Sequence, residues 1–409
     1  MTATDQDLIR AVGIIGAGVM GRGIAEQSAR AGLQVTIFDE NPAVALSAVQ
    51  EIQSVVTGAA MVSAATSTAE VAAADLVIEA VPEDFALKIA VLSCVDGHLK
   101  DGTVVASNSS SLSMIRLGTV LRNPSRFCGL HFCHPVRERP LVEVVRTALT
   151  SSQTVSLAYH YATDIGMSPI IIRDSPGFLL NRLLVPYMNE TLELLLHGAD
   201  VETLDLAAKS FGMPLRPLSL FDEFGIDLAM AVGRSLIQAY PDRIAPSELL
   251  IAIYKSGRRG RKCGDGFYLT AEDARLGRVD PNVMELIHKR RHSSERMPDD
   301  VVVRRLFLPV LLEATRALQE SLAISPRIID AALRDGLGMT PRYAGLFTWA
   351  NSIGARTIIE WLQPLQSLGK RFEPTQLLLD SAKRNSLIGE DTGEIKKSRR
   401  WARKLHRVR

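Results

Sequence analysis

Two groups of residues near the start of the chain have the types and spacing to do chemistry. The first is Ile14-Ile15-Gly16-Ala17-Gly18-Val19-Met20-Gly21, a G-x-G-x-x-G that closes an apolar run and opens a helical pattern. The first glycine suits a tight turn, the second lets a pyrophosphate approach the backbone, and the third packs helix on strand. The N–H groups at the helix start then receive the anion. Gly16, Gly18, Val19, Met20 and Gly21 are therefore dinucleotide-binding candidates. A second strand pattern, Gln34–Phe38, ends in Asp39, 23 residues beyond Gly16. That is close to the spacing of an acid that binds the ribose 2′-hydroxyl. A carboxylate there repels a 2′-phosphate, so NAD is expected over NADP.

The second group is Ser107-Asn108-Ser109-Ser110-Ser111, then Gly129-Leu130-His131-Phe132-Cys133-His134-Pro135, then Leu141-Val142-Glu143. Oxidising an alcohol needs a base for the hydroxyl proton, and imidazole titrates near neutrality. A carboxylate on the other ring nitrogen fixes the tautomer and stabilises the imidazolium. His131 and Glu143 supply that pair if their strands are neighbours, and Ser110 can hold the reacting oxygen. Spacing alone leaves a structural histidine open.

The elements that must position these residues alternate strand and helix over the first 175 positions, which argues a parallel α/β sheet. Strands are expected at Val12–Ile15, Gln34–Phe38, Leu76–Val81, Thr103–Ser107, Gly129–Phe132, Val142–Val145 and Pro169–Ile172. Helices are expected at Met20–Ala31 and Asp84–Leu99. After Asp174-Ser175-Pro176-Gly177 the pattern turns helical. Arg182-Leu-Leu-Val-Pro-Tyr-Met-Asn-Glu190 then finds an echo in Arg305-Leu-Phe-Leu-Pro-Val-Leu-Leu-Glu313, and Phe211-Gly-Met213 in Leu337-Gly-Met339, so a helical module is duplicated. The expected fold is α/β, an N-terminal Rossmann-type doubly wound sheet followed by a duplicated all-helical C-terminal domain. Residues 1–176 form the dinucleotide domain, 177–295 the first helical domain, 296–395 the second repeat and 396–409 a basic tail.

The 409 residues are 46% hydrophobic and 22% charged, which excludes a disordered or fibrous chain. Apolar runs stay short of the roughly 18 residues that span a bilayer, and the polar N-terminus lacks a signal-peptide pattern. Cys94, Cys128, Cys133 and Cys263 show no C-x-x-C spacing, so neither a disulfide framework nor a metal site is expected, and the cytoplasm is the expected compartment. The formal charge is +2, yet residues 396–409 carry eight basic side chains and no acid, leaving the rest net acidic. Such a tail attracts acidic partners or is simply solvated. Neither nucleic acid nor membrane is expected as a partner.

The sequence resembles the L-3-hydroxyacyl-CoA dehydrogenase family from about Val12 to Leu387, most of all the dehydrogenase part of multifunctional β-oxidation α-subunits, without their enoyl-CoA hydratase domain. The resemblance is carried by the glycine loop, Glu79-Ala-Val-Pro-Glu83, Ser107-Asn-Ser-Ser110, Gly129-Leu-His-Phe132, Leu141-Val-Glu143, Asp174-Ser-Pro-Gly-Phe-Leu-Leu-Asn181-Arg182 and the loop Gly257–Tyr268. It implies His131 as general base, Glu143 as its orienting partner, and Ser110 and Asn181 as hydrogen-bond partners of the substrate oxygen, in a cleft between domains. It also implies Glu83 and Lys88 near the nicotinamide ribose and Asn108 on the nicotinamide side. The implied reaction is NAD-dependent oxidation of an L-3-hydroxyacyl thioester, foremost a CoA thioester, to the 3-oxoacyl thioester, by a monomer or homodimer.

Two departures bear on that reading. Where the family usually reads His-Phe-Phe-Asn-Pro, this chain has His131-Phe-Cys133-His134-Pro135. The family's long lysine-bearing helical hairpin after the second strand is also shortened. Residues 41–65 contain no lysine or arginine, so a CoA handle loses part of its positive clasp. An acyl group tethered to a carrier protein, or another specialised biosynthetic hydroxyacyl substrate, therefore stays open. A β-hydroxyacid dehydrogenase of small carboxylates would carry a catalytic lysine where this chain has Asn181. The rival of another class is a catalytically retired nucleotide-binding scaffold.

Overall fold

In a computed structural model, the structure describes residues 8–56, 61–244, 246–340 and 345–390. The basic tail at 396–409 lies outside the described residues. The chain divides into two compact units, one running to Phe178 with Leu322–Ile324 added, the other holding Leu179–Ser321 and the described chain from Ser325 on.

The first unit is built on an eight-stranded sheet. Its strands are β1 (Ala11–Ile15), β2 (Gln34–Phe38), β3 (Val62–Ala64), β4 (Leu76–Glu79), β5 (Val104–Ser107), β6 (Phe127–Phe132), β7 (Leu141–Arg146) and β8 (Ser168–Arg173). They lie in the order β3-β2-β1-β4-β5-β6-β7-β8. The order reverses between β1 and β4, the place where open α/β sheets leave a crevice for ligands. β3 is a three-residue strand too short for periodicity to reveal. β4 ends at Glu79, whose carboxylate takes the N–H of Val81 at 2.8 Å.

Every neighbouring pair is parallel except β6 and β7. This departs from the all-parallel expectation for a simple reason. The connection from Phe132 to Leu141 is too short to carry a crossover, so the chain turns back on itself.

Helices start where side chains satisfy their first N–H groups. Asn41 caps Pro42–Val55, Asp84 caps Phe85–Asp96, and Ser151 caps Ser152–Asp164. Gly18 at the start of Val19–Arg30 offers no such side chain. One face of the sheet, with Ile14, Ile37, Ile78, Ala106, Leu130 and Val144, packs on the helices Val19–Arg30, Pro42–Val55 and Ser152–Asp164. Ile15 and Val77 belong to a second cluster on the other face, with Val71 and Val95.

In the second unit the two echoed segments are the helices Leu180–Leu196 and Asp299–Gln319, which pack on each other. Their charges are exchanged. Arg182 of the first bonds Glu313 of the second at 2.7 Å, and Arg305 of the second bonds Glu190 of the first at 2.9 Å. Arg243 and Arg371 repeat the exchange, the former on Glu313 at 3.3 Å and the latter on Glu190 at 2.5 Å. All four helix residues are buried. Equivalent residues thus meet reciprocally, as they do across a two-fold axis.

Candidate active site

The glycine turn connects β1 to the helix Val19–Arg30. Gly16 has φ +103°, and a Cβ there would lie 2.7 Å from the Ala80 carbonyl oxygen; a Cβ on Gly21 would lie 1.8 Å from the Gly16 oxygen. Both glycines are required by the fold itself. Gly18 differs, since nothing stands within 4 Å of the place its Cβ would take. Open space in front of an uncapped helix start is what a pyrophosphate needs. Asp39, at the end of β2, accepts the Ala17 N–H at 2.9 Å through Oδ2 and the Asn41 N–H at 3.0 Å through Oδ1. Its carboxylate is thus fixed beside the turn, with lone pairs left for ribose hydroxyls. Val19 is exposed and Met20 half-buried beside it. These residues fit a dinucleotide.

Register carries the site along the carboxyl edge. Ile15 pairs with Glu79, Glu79 with Ser107, and Ser107 with Gly129. Paired residues share a face, and His131, two residues past Gly129, returns to it. His131 stands opposite Glu143 in the β6–β7 pairing, and its Nδ1 lies 2.6 Å from Glu143 Oε2. Glu143 is wholly buried and His131 is 5% exposed. A buried carboxylate accepts the Nδ1 proton, which leaves the Nε2 lone pair for another donor. Phe178 places its ring 5.5 Å from the imidazole and is buried with φ +52°. A phenylalanine in left-handed backbone is strained, by about 1–3 kcal/mol. Neither pattern nor spacing singled out Phe178; a bulky residue just after Pro176-Gly177 was the available signal.

A polar network organises the next strands. Glu79 is buried and takes the Lys88 ammonium at 2.7 Å and the Ser107 hydroxyl at 2.5 Å. Lys88 also donates to the Val81 carbonyl at 2.9 Å and is itself buried, so it is no solvated helix-start residue. Glu79 went unassigned in the sequence because its role appears only once β4 and β5 are paired. Glu83 accepts from the Ser109 hydroxyl at 2.7 Å, the Ser110 N–H at 3.0 Å, and the Ser111 N–H and hydroxyl at 2.8 and 2.9 Å. Burial works against its ionisation, but Lys88 and these serines outweigh that and hold the carboxyl below its usual range. Asn108 accepts the Phe132 N–H at 2.9 Å, tying the serine loop to the end of β6. Burial, then the Glu143 charge, pushes the Cys133 thiol well up, so it is no nucleophile. Asn181 is buried in the first turn of Leu180–Leu196, in the other unit.

A switch-point glycine turn, an acid closing β2 and a carboxylate-steered imidazole on the same sheet edge define the class: an NAD-dependent oxidoreductase. The sequence pattern of the 3-hydroxyacyl-CoA dehydrogenase NAD binding domain matches residues 11–175, and that of the 3-hydroxyacyl-CoA dehydrogenase C-terminal domain matches residues 177–270. The chain belongs to the 3-hydroxyacyl-CoA dehydrogenase family. Among solved structures it resembles 3-hydroxybutyryl-CoA dehydrogenase from Escherichia coli K12 at 25% identity and TM-score 0.77, covering 92% of this chain and 98% of that one. The (S)-3-hydroxybutyryl-CoA dehydrogenase from Ralstonia eutropha is 35% identical, with TM-score 0.60 over 64% of this chain and 99% of that one. The dehydrogenase part of multifunctional enzyme 1 from C. elegans shares the fold at 21% identity and TM-score 0.63, covering 92% of this chain and 90% of that one. Among the described residues no helix is long and apolar enough to cross a membrane, and no acid, histidine and cysteine cluster could hold a metal.

Proposed function

We propose that the protein oxidises an L-3-hydroxyacyl thioester, foremost a CoA thioester, to the 3-oxoacyl thioester. The observation that carries this reading is the 2.6 Å contact between His131 Nδ1 and Glu143 on the sheet edge that also bears the glycine turn. His131 Nε2 takes the hydroxyl proton, and Glu143 stabilises the imidazolium and keeps the ring in that tautomer. Bound NAD supplies the acceptor for the hydride that leaves the carbinol carbon. Ser110 and Asn181 hold the substrate oxygen, on the strength of the family motif. Gly16 to Gly21 and Asp39 hold the dinucleotide, while Glu83, Lys88 and Asn108 keep the serine loop shaped around its nicotinamide end. The relatives named for 3-hydroxybutyryl-CoA support a short acyl group.

A second reading, an acyl group presented on a carrier protein, is favoured by one feature. The segment after β2 forms the helix Pro42–Val55, and residues 41–65 offer no lysine or arginine to a CoA phosphate. Absorbance of NADH formed from L-3-hydroxybutyryl-CoA, beside the same acyl group on a phosphopantetheinylated carrier, tests both readings. We expect turnover of the CoA thioester with the higher kcat/KM. A reversed preference moves the assignment to the carrier, and removing residues 396–409 would then raise KM for the carrier-bound substrate. NADH from neither thioester would support the retired scaffold.

A further inference from the structure

We propose that His134 is a cofactor-contacting residue that faces the pyrophosphate of the dinucleotide and makes cofactor affinity depend on pH. The inference rests on the dinucleotide assignment and adds a residue to it. His134 follows β6 in a loop that lies over the start of the helix Val19–Arg30. Two contacts hold the loop there. A Cβ on Gly23 would come within 3.0 Å of Val136, so the helix has a glycine where the loop crosses it. One turn further on, Arg137 is paired with Glu26. As a result His134 is exposed into a cleft of about 610 Å³ that it lines together with Ala17, Gly18 and Val19. The imidazole and the anion-receiving turn share one space.

Arg22 and Glu26, the helix charges that line that space, are both paired. Arg22, from the helix, is bonded to Glu51 of Pro42–Val55 at 2.6 Å and to the Ala17 carbonyl at 2.8 Å. Glu26, also on the helix, is shared between Arg30 at 2.8 Å and Arg137 of the loop. Glu138 lines the cleft from the loop, and Arg139 follows it. As classes, carboxylates and guanidinium groups keep their charge between about pH 5.5 and 8, whereas imidazoles change theirs within that window. A pyrophosphate diester keeps a constant negative charge there. Binding it favours the imidazolium, so the bound state holds its proton to higher pH than the free state. Affinity is therefore greatest below the free imidazole's titration and declines as pH rises through that of the bound form. The amide usual at this position in the family could not produce such a slope.

Dissociation constants for NAD, ADP-ribose and adenosine, measured calorimetrically from pH 5.5 to 8 at fixed ionic strength, test this. In the wild-type protein NAD and ADP-ribose should weaken by roughly two- to fivefold across the range, the scale of one partly exposed charge pair, while adenosine stays level. His134→Asn should bind all three with flat profiles. If that variant does not fold, His134→Gln serves in its place. A variant that keeps the wild-type slope, a flat wild-type profile, or an adenosine slope equal to that of ADP-ribose overturns the proposal. Failure of both proteins to bind NAD at any pH would instead sink the dinucleotide reading beneath it.

Discussion

At the scale of single residues, the sheet does for His131 what a catalytic base requires. The cross-strand pairing of β6 with β7 sets Glu143 directly opposite, and burial keeps water from competing for the Nδ1 hydrogen bond. His131→Ala should lower kcat by roughly 10²–10⁴ while the NAD dissociation constant stays within twofold. Normal turnover in that variant would falsify the role. Glu143→Gln separates orientation from charge: the amide can hold the ring but cannot stabilise imidazolium, so kcat should fall with KM nearly unchanged. A Glu143→Gln enzyme as fast as wild type would show that the carboxylate does not act through the imidazole. The types of these two residues, and through the resemblance their partnership, were readable in the sequence, but the geometry of their meeting was not, because it depends on β7 running antiparallel. Phe178 and Glu79 escaped for the same reason. Each gains its meaning from a neighbour distant in sequence.

At the scale of elements, the glycine turn divides its glycines by purpose. Gly16 and Gly21 face backbone carbonyls at distances no Cβ tolerates, whereas Gly18 faces open space with an ordinary φ of −69°. Gly21→Ala should therefore destabilise the first unit and lower its melting temperature. Gly18→Ala should fold and melt like wild type yet bind NAD at least tenfold more weakly, because the added methyl occupies the approach of the pyrophosphate. Unchanged NAD affinity in well-folded Gly18→Ala would place the cofactor elsewhere. The turn was legible in advance because its signature is local: strand, three glycines, helix and an acid at a fixed distance. By contrast β3 was not, since three residues carry too little pattern. The end of β4 was hidden as well, because it falls at Glu79, whose side chain takes the Val81 N–H, before the Pro82 that the pattern offered as a stop.

At the scale of the whole molecule, the chain contains its own two-fold partner. The echo between Arg182–Glu190 and Arg305–Glu313 was visible as a repeat, yet nothing in it said that each copy's arginine would seek the other copy's glutamate. The structure shows why the repeat keeps both residue types. Glu190 holds Arg305 and Arg371 in a buried site, and Glu313 holds Arg182 and Arg243 in the equivalent one. Such clusters stabilise little relative to apolar packing, but removing one member strands the others without a counter-charge. Glu190→Leu leaves two guanidinium groups facing each other in the protein interior. It should cost roughly 3–5 kcal/mol in urea unfolding, and the cost should fall mainly on the helical unit, leaving NAD binding intact while that unit loosens. Adding Arg305→Met and Arg371→Met should recover a large part of the loss, since the charges and their desolvation are then removed together. If the triple variant is as unstable as Glu190→Leu alone, the damage comes from lost packing volume, and the exchanged ion pairs do not govern how the two copies join.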